Sequence, residues 1–82
     1  VIFRVNKKLA PYVITKPIHA TQKIVNENEL GVLFSMEVIH NFELERELLG
    51  FGEELEVIGP KLLRRNLKRR LEKALEYYQR KH

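Results

Sequence analysis

The chain has no cysteine, no aspartate and no tryptophan, and only one methionine among its 82 residues. Without cysteine, neither a disulfide nor a thiolate metal site can form. No apolar run approaches the roughly 20 residues that a membrane-spanning helix needs, and no signal peptide is visible. A cytoplasmic setting is therefore the default expectation, and no cofactor or metal is predicted.

A chain of 82 residues is expected to form one domain. At this length somewhat more than ~60% of the unfolded surface is buried on folding, which allows one modest core. The apolar share of 44%, with four Phe and three Tyr, is sufficient for that core without covalent cross-links. Because the sequence opens at Val1 in mid-pattern, we expect residues 1–82 to be a single domain cut from a larger protein.

Apolar alternation and helical spacing predict a mixed α+β domain. The predicted strands are Val1–Val5, His19–Val25, Leu30–Ile39 and Leu55–Ile58, with a polar turn at Asn26–Glu29. The predicted helices are Leu9–Lys16, a helix capped by Asn41 that runs to about Leu49, and one that opens at Pro60 and runs to about Gln79. The order βαββαβ is the ferredoxin-like pattern of an antiparallel sheet, here with an additional C-terminal helix.

Right-handed connections place the first and third strands at the centre of the sheet, with both helices on one face. Phe3 and Phe34 lie on the uniformly apolar faces of these strands, so we expect them in the core. An RNA-binding sheet of this class needs exposed aromatics on its central strands, and core packing is the simpler interpretation. On the opposite face, Arg4 and Glu37 could pair across strands.

The residues give little support to catalysis. The histidines, His19, His40 and His82, show no ligand spacing. The glutamates at 43, 45 and 47 alternate along a predicted helix, do not converge on one point, and are best explained as a solvated face. With no nucleophile–base pair visible, we expect a protein that is not an enzyme.

The net charge of +4 hides a strong asymmetry. Residues 1–60 hold 6 basic and 9 acidic side chains and carry −3, whereas residues 61–82 hold 9 basic and 2 acidic and carry +7. Segregation of this kind indicates an anionic partner or an acidic neighbouring surface.

Five basic residues crowd the first half of the last helix: Lys61, Arg64, Arg65, Lys68 and Arg69. Cations at a helix N-terminus oppose the helix dipole by ~0.3–1 kcal/mol each, so a compensating charge is expected. It could be internal, from Glu53, Glu54 and Glu56 just upstream. It could also be external, a nucleic-acid phosphate or an acidic subunit surface, which makes these five residues the candidate nucleic-acid or partner contact.

The same helix carries an apolar stripe at three- and four-residue spacing. Its members are Leu63, Leu67, Leu71, Ala74, Leu75 and Tyr78. The stripe predicts that Tyr78 lies in the core or in an interface.

An ordered set of features resembles a known family. They are Phe3-Arg4-Val5, Leu9-Ala10-Pro11-Tyr12-Val13, His19-Ala20-Thr21-Gln22, Leu48-Leu49-Gly50-Phe51-Gly52, Glu56-Val57, Pro60, and a charged helix that ends near Tyr78. The set resembles the C-terminal extension (WCX) domain of bacterial WYL-domain transcriptional regulators.

The resemblance implies a ferredoxin-like fold and a three-part protein, in which a winged helix-turn-helix binds DNA and a middle WYL domain senses a ligand. It also implies a non-enzymatic extension that makes dimer contacts and relays the signal, so a homodimer is expected in the full-length protein. Neither the Trp-Tyr-Leu motif nor a helix-turn-helix is present here, so no ligand- or DNA-contacting residue can be transferred. The alternative is a module that binds nucleic-acid phosphate through the basic helix.

Overall fold

The computed structural model describes residues 1–80, which form one four-stranded antiparallel sheet with helices. The elements are β1 (Ile2–Val5), α1 (Ala10–Thr15), β2 (Lys23–Asn28), β3 (Gly31–Ser35), α2 (Phe42–Leu49), β4 (Leu55–Gly59) and α3 (Lys61–Tyr78). A short 3-10 turn at Gly52–Glu54 precedes β4. The strand order β2-β3-β1-β4 confirms the predicted α+β fold, including its additional C-terminal helix.

The two central strands supply the middle of the core. Phe3 of β1 lies opposite Phe34 of β3, and their rings stack with centroids 5.2 Å apart. Both side chains are buried, together with Val5 and Met36. The prediction that these aromatics pack inside the domain is confirmed, and they leave no exposed aromatic platform for RNA on the central strands.

The second strand differs from its prediction. Residues 23–28 form β2, rather than residues 19–25, and the turn to β3 is limited to residues 29 and 30. Every residue of β2 is exposed, so the strand lacks the alternation that marks a half-buried strand. The third strand also ends earlier than predicted, at Ser35.

The predicted pair between Arg4 and Glu37 is wrong. Because β4 lies beside β1, Arg4 stands opposite Glu56, and its Nη1 is 3.2 Å from Glu56 Oε1. Glu37 lies beyond the end of β3, where its backbone N–H donates to Thr21 Oγ1 at 2.8 Å.

Asn41 caps α2 as predicted, since its Oδ1 accepts the backbone N–H of Leu44 at 2.8 Å. Of the two glycines that follow α2, only Gly52 takes a left-handed conformation, with φ of 60°, whereas Gly50 has φ of −62°. The helix therefore ends at Leu49, as the sequence pattern predicts, and Gly52 supplies the positive φ at this corner.

Gly31 lies where the backbone of β1 approaches β3 closely. It has φ of 133°, and a Cβ added there would overlap the carbonyl oxygen of Val5 on the neighbouring strand. Glycine is required here both by conformation and by the close approach of β1.

Candidate functional site

The last helix, which carries the five candidate contact residues, is attached to the domain through its first half. Leu63 and Leu67 are buried and join the core cluster with Leu48 of α2 and Val57 of β4. These two leucines are one helical turn apart, as the predicted stripe required. The first half of α3 is therefore fixed in position relative to the sheet.

The second half of α3 extends beyond the core. Every residue from 71 to 80 is exposed, and the helical part, residues 71–78, is roughly 12 Å long at 1.5 Å per residue. We call residues 71–78 the α3 overhang. Leu71, Leu75 and Tyr78 are 51%, 52% and 88% exposed. Of the two positions predicted for Tyr78, the core is therefore wrong, and the interface stays a prediction.

An apolar groove runs along the overhang side of the domain. Its volume is about 340 Å³, and α2, β4 and α3 contribute to it. Leucines form half of its lining: Leu48, Leu49, Leu55, Leu67, Leu71 and Leu75. Arg64, Lys68, Glu56 and Glu72 also line it. We call this feature the α3 groove, and its position places exposed apolar surface beside the basic half of the helix.

Internal pairing accounts for one of the five basic residues. Arg64 Nη1 is 2.8 Å from Glu56 Oε2 and donates to the Val57 carbonyl oxygen at 2.7 Å. Glu56 also pairs with Arg4, so it joins β1, β4 and α3. The hypothesis of internal compensation therefore holds for Arg64 through Glu56, whereas Glu53 and Glu54 form no ion pair within residues 1–80.

The other four basic residues, Lys61, Arg65, Lys68 and Arg69, are exposed. In the part of the chain that the structure describes, none of them has a carboxylate within 4.0 Å. Arg69 Nη2 donates to Asn66 Oδ1 at 3.3 Å. Most of the positive charge of the helix is thus available to an external group.

A polar cluster that the sequence did not reveal joins α2 to α3. Glu45 Oε2 lies 2.6 Å from His40 Nε2 and accepts from Asn66 Nδ2 at 3.2 Å, while its Oε1 lies 3.0 Å from Arg70 Nη1. We call these four residues the Glu45 cluster. The Arg70 guanidinium also lies 5.0 Å from the centre of the Phe42 ring, an arrangement that favours a cation–π contact.

The hydrogen bond from His40 lowers the pKa of Glu45, and the bonds from Asn66 and Arg70 act in the same direction, while burial opposes them. The side chain of Glu45 is only 12% exposed. The prediction of a solvated glutamate face on α2 is therefore wrong for Glu45, although Glu43 and Glu47 are exposed.

The histidines that the structure describes make local contacts. His19 Nδ1 lies 2.8 Å from Thr21 Oγ1, and His40 belongs to the Glu45 cluster. His82 lies outside the described residues. Within residues 1–80, no group of three His, Cys, Asp or Glu side chains is placed to hold a metal ion, and no helix there has the length and apolarity to cross a membrane.

A family model described as the WCX domain matches residues 1–75. The chain belongs to the WCX domain family. Domains of this family are associated with transcriptional regulators of the WYL type, which agrees with the ordered features noted in the sequence. Among curated proteins, no sequence matches this WCX domain significantly. The matched region includes the sheet, the Glu45 cluster and the α3 groove with Leu71 and Leu75.

Proposed function

We propose that this WCX domain is a non-enzymatic module that joins subunits and supports regulation in a bacterial WYL-type transcriptional regulator. The regulator would bind DNA through another domain and would act as a homodimer. The family match supports the link to such regulators, and the shape of α3 supports the role in subunit contact.

The observation that carries the proposal is the exposure of the α3 overhang. Leu71 and Leu75 lie on the face that is buried one and two turns earlier, yet each is about half exposed. An amphipathic helix gains most of its stability by packing its apolar face. A partner that covers this face would therefore complete the packing that the domain leaves open.

Removal of the module from the full-length regulator tests the proposal. We expect the intact regulator to sediment as a dimer, and the shortened protein to lose dimer mass and the response of DNA binding to its effector. Circular dichroism would verify that the remaining domains stay folded. A shortened regulator that is still dimeric and still responsive would show that the proposed function is wrong.

A second candidate function, direct contact with nucleic-acid phosphate, is favoured by one specific observation. Lys61, Arg65, Lys68 and Arg69 are exposed and have no carboxylate partner within residues 1–80. Four such cations on one helix are suited to a phosphate backbone, because binding releases counterions from the nucleic acid. Arg64 is less suited, since its guanidinium is held by Glu56 and Val57.

Salt-dependent binding to a duplex oligonucleotide tests this candidate. The triple variant R65A/K68A/R69A should bind more weakly, and the slope of log K against log salt should become shallower by about 2–3. The control K7A/K8A/K23A removes the same charge from exposed sites elsewhere and should leave most of the slope. If the 82-residue chain does not bind the oligonucleotide at low salt, direct phosphate contact by this module is excluded.

A further inference from the structure

We infer that the α3 groove is occupied by the α3 overhang of a second copy of this chain, with the two α3 helices antiparallel about a two-fold axis. The inference rests on the proposed function, because it assumes that the module joins subunits. It goes beyond that function by identifying the contact surface, the occupant and the orientation of the helices.

The apolar surface is self-complementary. Leu71 and Leu75 line the groove and are also the exposed leucines of the overhang. In a two-fold interface the same patch faces itself, so each residue serves on both sides of the contact. A second overhang laid along the groove would cover Leu71 and Leu75 in both copies at once. Tyr78 of each copy would then contact the basic half of the partner's α3.

The charges of α3 select the antiparallel orientation. Residues 61–70 contain six basic side chains and no acidic one, whereas residues 71–78 contain Glu72, Glu76 and one base, Lys73. An antiparallel pair sets the acidic end of each helix against the basic start of the other. A parallel pair would set six cations against six, which is unfavourable between neighbouring helices.

This arrangement also provides the compensating charge that the start of α3 lacks. Arg64 has Glu56, but Lys61, Arg65 and Lys68 have no carboxylate partner within the described residues. With the two-fold axis near Leu71, Glu72 of a second copy would lie beside Lys68 and its Glu76 beside Arg65, without any change in the domain itself. Because Lys68 and Glu72 both line the groove, the opposite charges lie at the edge of the apolar contact.

Sedimentation velocity of the 82-residue chain tests the contact. A contact confined to α3 is smaller than a standard interface of ~1,600 Å², so the chain should be examined from roughly 10 μM to 1 mM. We expect a concentration-dependent dimer that Leu75→Asp weakens at least about tenfold, because a charge would be buried in the groove. Leu62→Asp is the matched control, since Leu62 is equally exposed, at 52%, but does not line the groove.

Charge reversal with rescue tests the electrostatic part. The variant E72K/E76K should weaken the dimer about fivefold to tenfold, since it sets cations against cations. Combining E72K/E76K with R65E/K68E reverses the charge on both sides of the contact. Opposite charges then face each other again, so most of the lost dimer affinity should return. A dimer dissociation constant that neither change alters would contradict the proposed charge complementarity.

Disulfide trapping tests the orientation, and the absence of native cysteine makes it direct. Because the overhang lies along a groove lined by Arg64, Leu67, Leu71 and Leu75, the two-fold axis passes near Leu71. Residues 64 and 78 are symmetric about residue 71, so Arg64 of one copy would lie near Tyr78 of the other. Chains with Arg64→Cys and Tyr78→Cys, mixed in equal amounts and oxidised, should give mainly the mixed disulfide. A parallel pair would instead give same-residue disulfides and overturn the inference.

The outcomes separate this inference from the proposed function. A chain that is monomeric up to 1 mM, or a dimer that Leu75→Asp does not weaken, overturns the inference. The proposed function would still stand if dimerisation of the full-length regulator depends on this module. It fails only if the regulator remains dimeric and responsive without the module.

Discussion

Glu45 is the glutamate of α2 that is turned away from solvent, whereas Glu43 and Glu47 are exposed. Its carboxylate is hydrogen-bonded to the side chains of His40, Asn66 and Arg70. His40 lies in the segment before α2, and Asn66 and Arg70 lie on α3. A shielded carboxylate with several hydrogen bonds is stabilised in its ionised form. The ionised carboxylate of Glu45 therefore stabilises the contact between α2 and α3.

We expect Glu45→Gln to lower the free energy of unfolding by about 1–3 kcal/mol at pH 7, because Arg70 loses its charged partner. The pKa of Glu45 is lower in the folded state than its ordinary value of 4.5. Its contribution is therefore fully present above that value and is lost as pH falls through the folded-state pKa. Urea denaturation at pH 7 and pH 3 should show the gap between variant and wild type closing in acid.

Glu43→Gln is the control for this experiment, since Glu43 is exposed on the same helix. It should change the free energy of unfolding by less than about 0.5 kcal/mol. A gap for Glu45→Gln that is as large at pH 3 as at pH 7 would contradict the role assigned to its charge.

Gly31 and Gly52 both have positive φ, but their surroundings differ. A Cβ at Gly31 would overlap β1, whereas a Cβ at Gly52 would meet open space. We expect Gly31→Ala to cost about 3 kcal/mol or more, from strain and overpacking together. Gly52→Ala should cost about 1–2 kcal/mol, from backbone strain alone. Thermal unfolding measures both, and equal losses would contradict the close approach at Gly31.

At the scale of elements, α3 consists of two halves with different roles. The buried leucines Leu63 and Leu67 hold the first half to the sheet and α2, and the overhang continues the same stripe without cover from the domain. A continuous amphipathic pattern thus extends from the packed first half of α3 into its exposed second half. Stability and association are expected to depend on different turns of the same helix.

Two leucines separate these roles. Leu67→Ala should lower the free energy of unfolding by about 2–5 kcal/mol, because it leaves a cavity in the core. Leu75→Ala should change it by less than about 0.5 kcal/mol at concentrations where the chain is monomeric. Chemical denaturation of both variants at low concentration measures the difference. Similar losses would mean that the overhang packs inside the domain.

The elements that were predicted well are those whose pattern lies in neighbouring residues of the sequence. The alternation around Phe3 and Phe34 identified the two central strands, and Asn41 identified the start of α2. The exposed strand β2 was misplaced, because a strand with no buried face has no alternation to detect.

The contacts that sequence reasoning missed join distant positions. Arg4 meets Glu56 rather than Glu37 because of strand order, and Glu45 meets Arg70 across 25 positions of the chain. The apolar stripe on α3 was predicted correctly. A periodic pattern shows which face of a helix is apolar, but not how many turns of that face the rest of the domain covers. The exposure of Leu75 and Tyr78 therefore appeared only in three dimensions.

The whole molecule is elongated for its size. Its principal extents are 43 × 27 × 20 Å and its Cα radius of gyration is 13.4 Å, whereas a compact domain of this length is expected near ~12 Å. The overhang extends beyond the core and is exposed throughout. The excess dimension is thus explained by one helix rather than by a loose core.

A chain that ends after Lys73 should be more compact. We expect small-angle scattering at low concentration to show a radius of gyration smaller by about 1–2 Å. The melting temperature should fall by no more than about 4–8 °C, the shift that corresponds to 1 kcal/mol in a domain of this size. The intact chain at the same concentration is the reference. A shortened chain that fails to fold would show that the overhang stabilises the monomer.

The overhang also gives the protein an optical reporter. The chain has no tryptophan and three tyrosines, and two of these, Tyr77 and Tyr78, lie at the end of the overhang with 65% and 88% of their surface exposed. Near-ultraviolet emission and its quenching by a neutral solute therefore arise mainly from this end of the molecule. Whatever covers the overhang can be followed by the tyrosine signal of unlabelled protein.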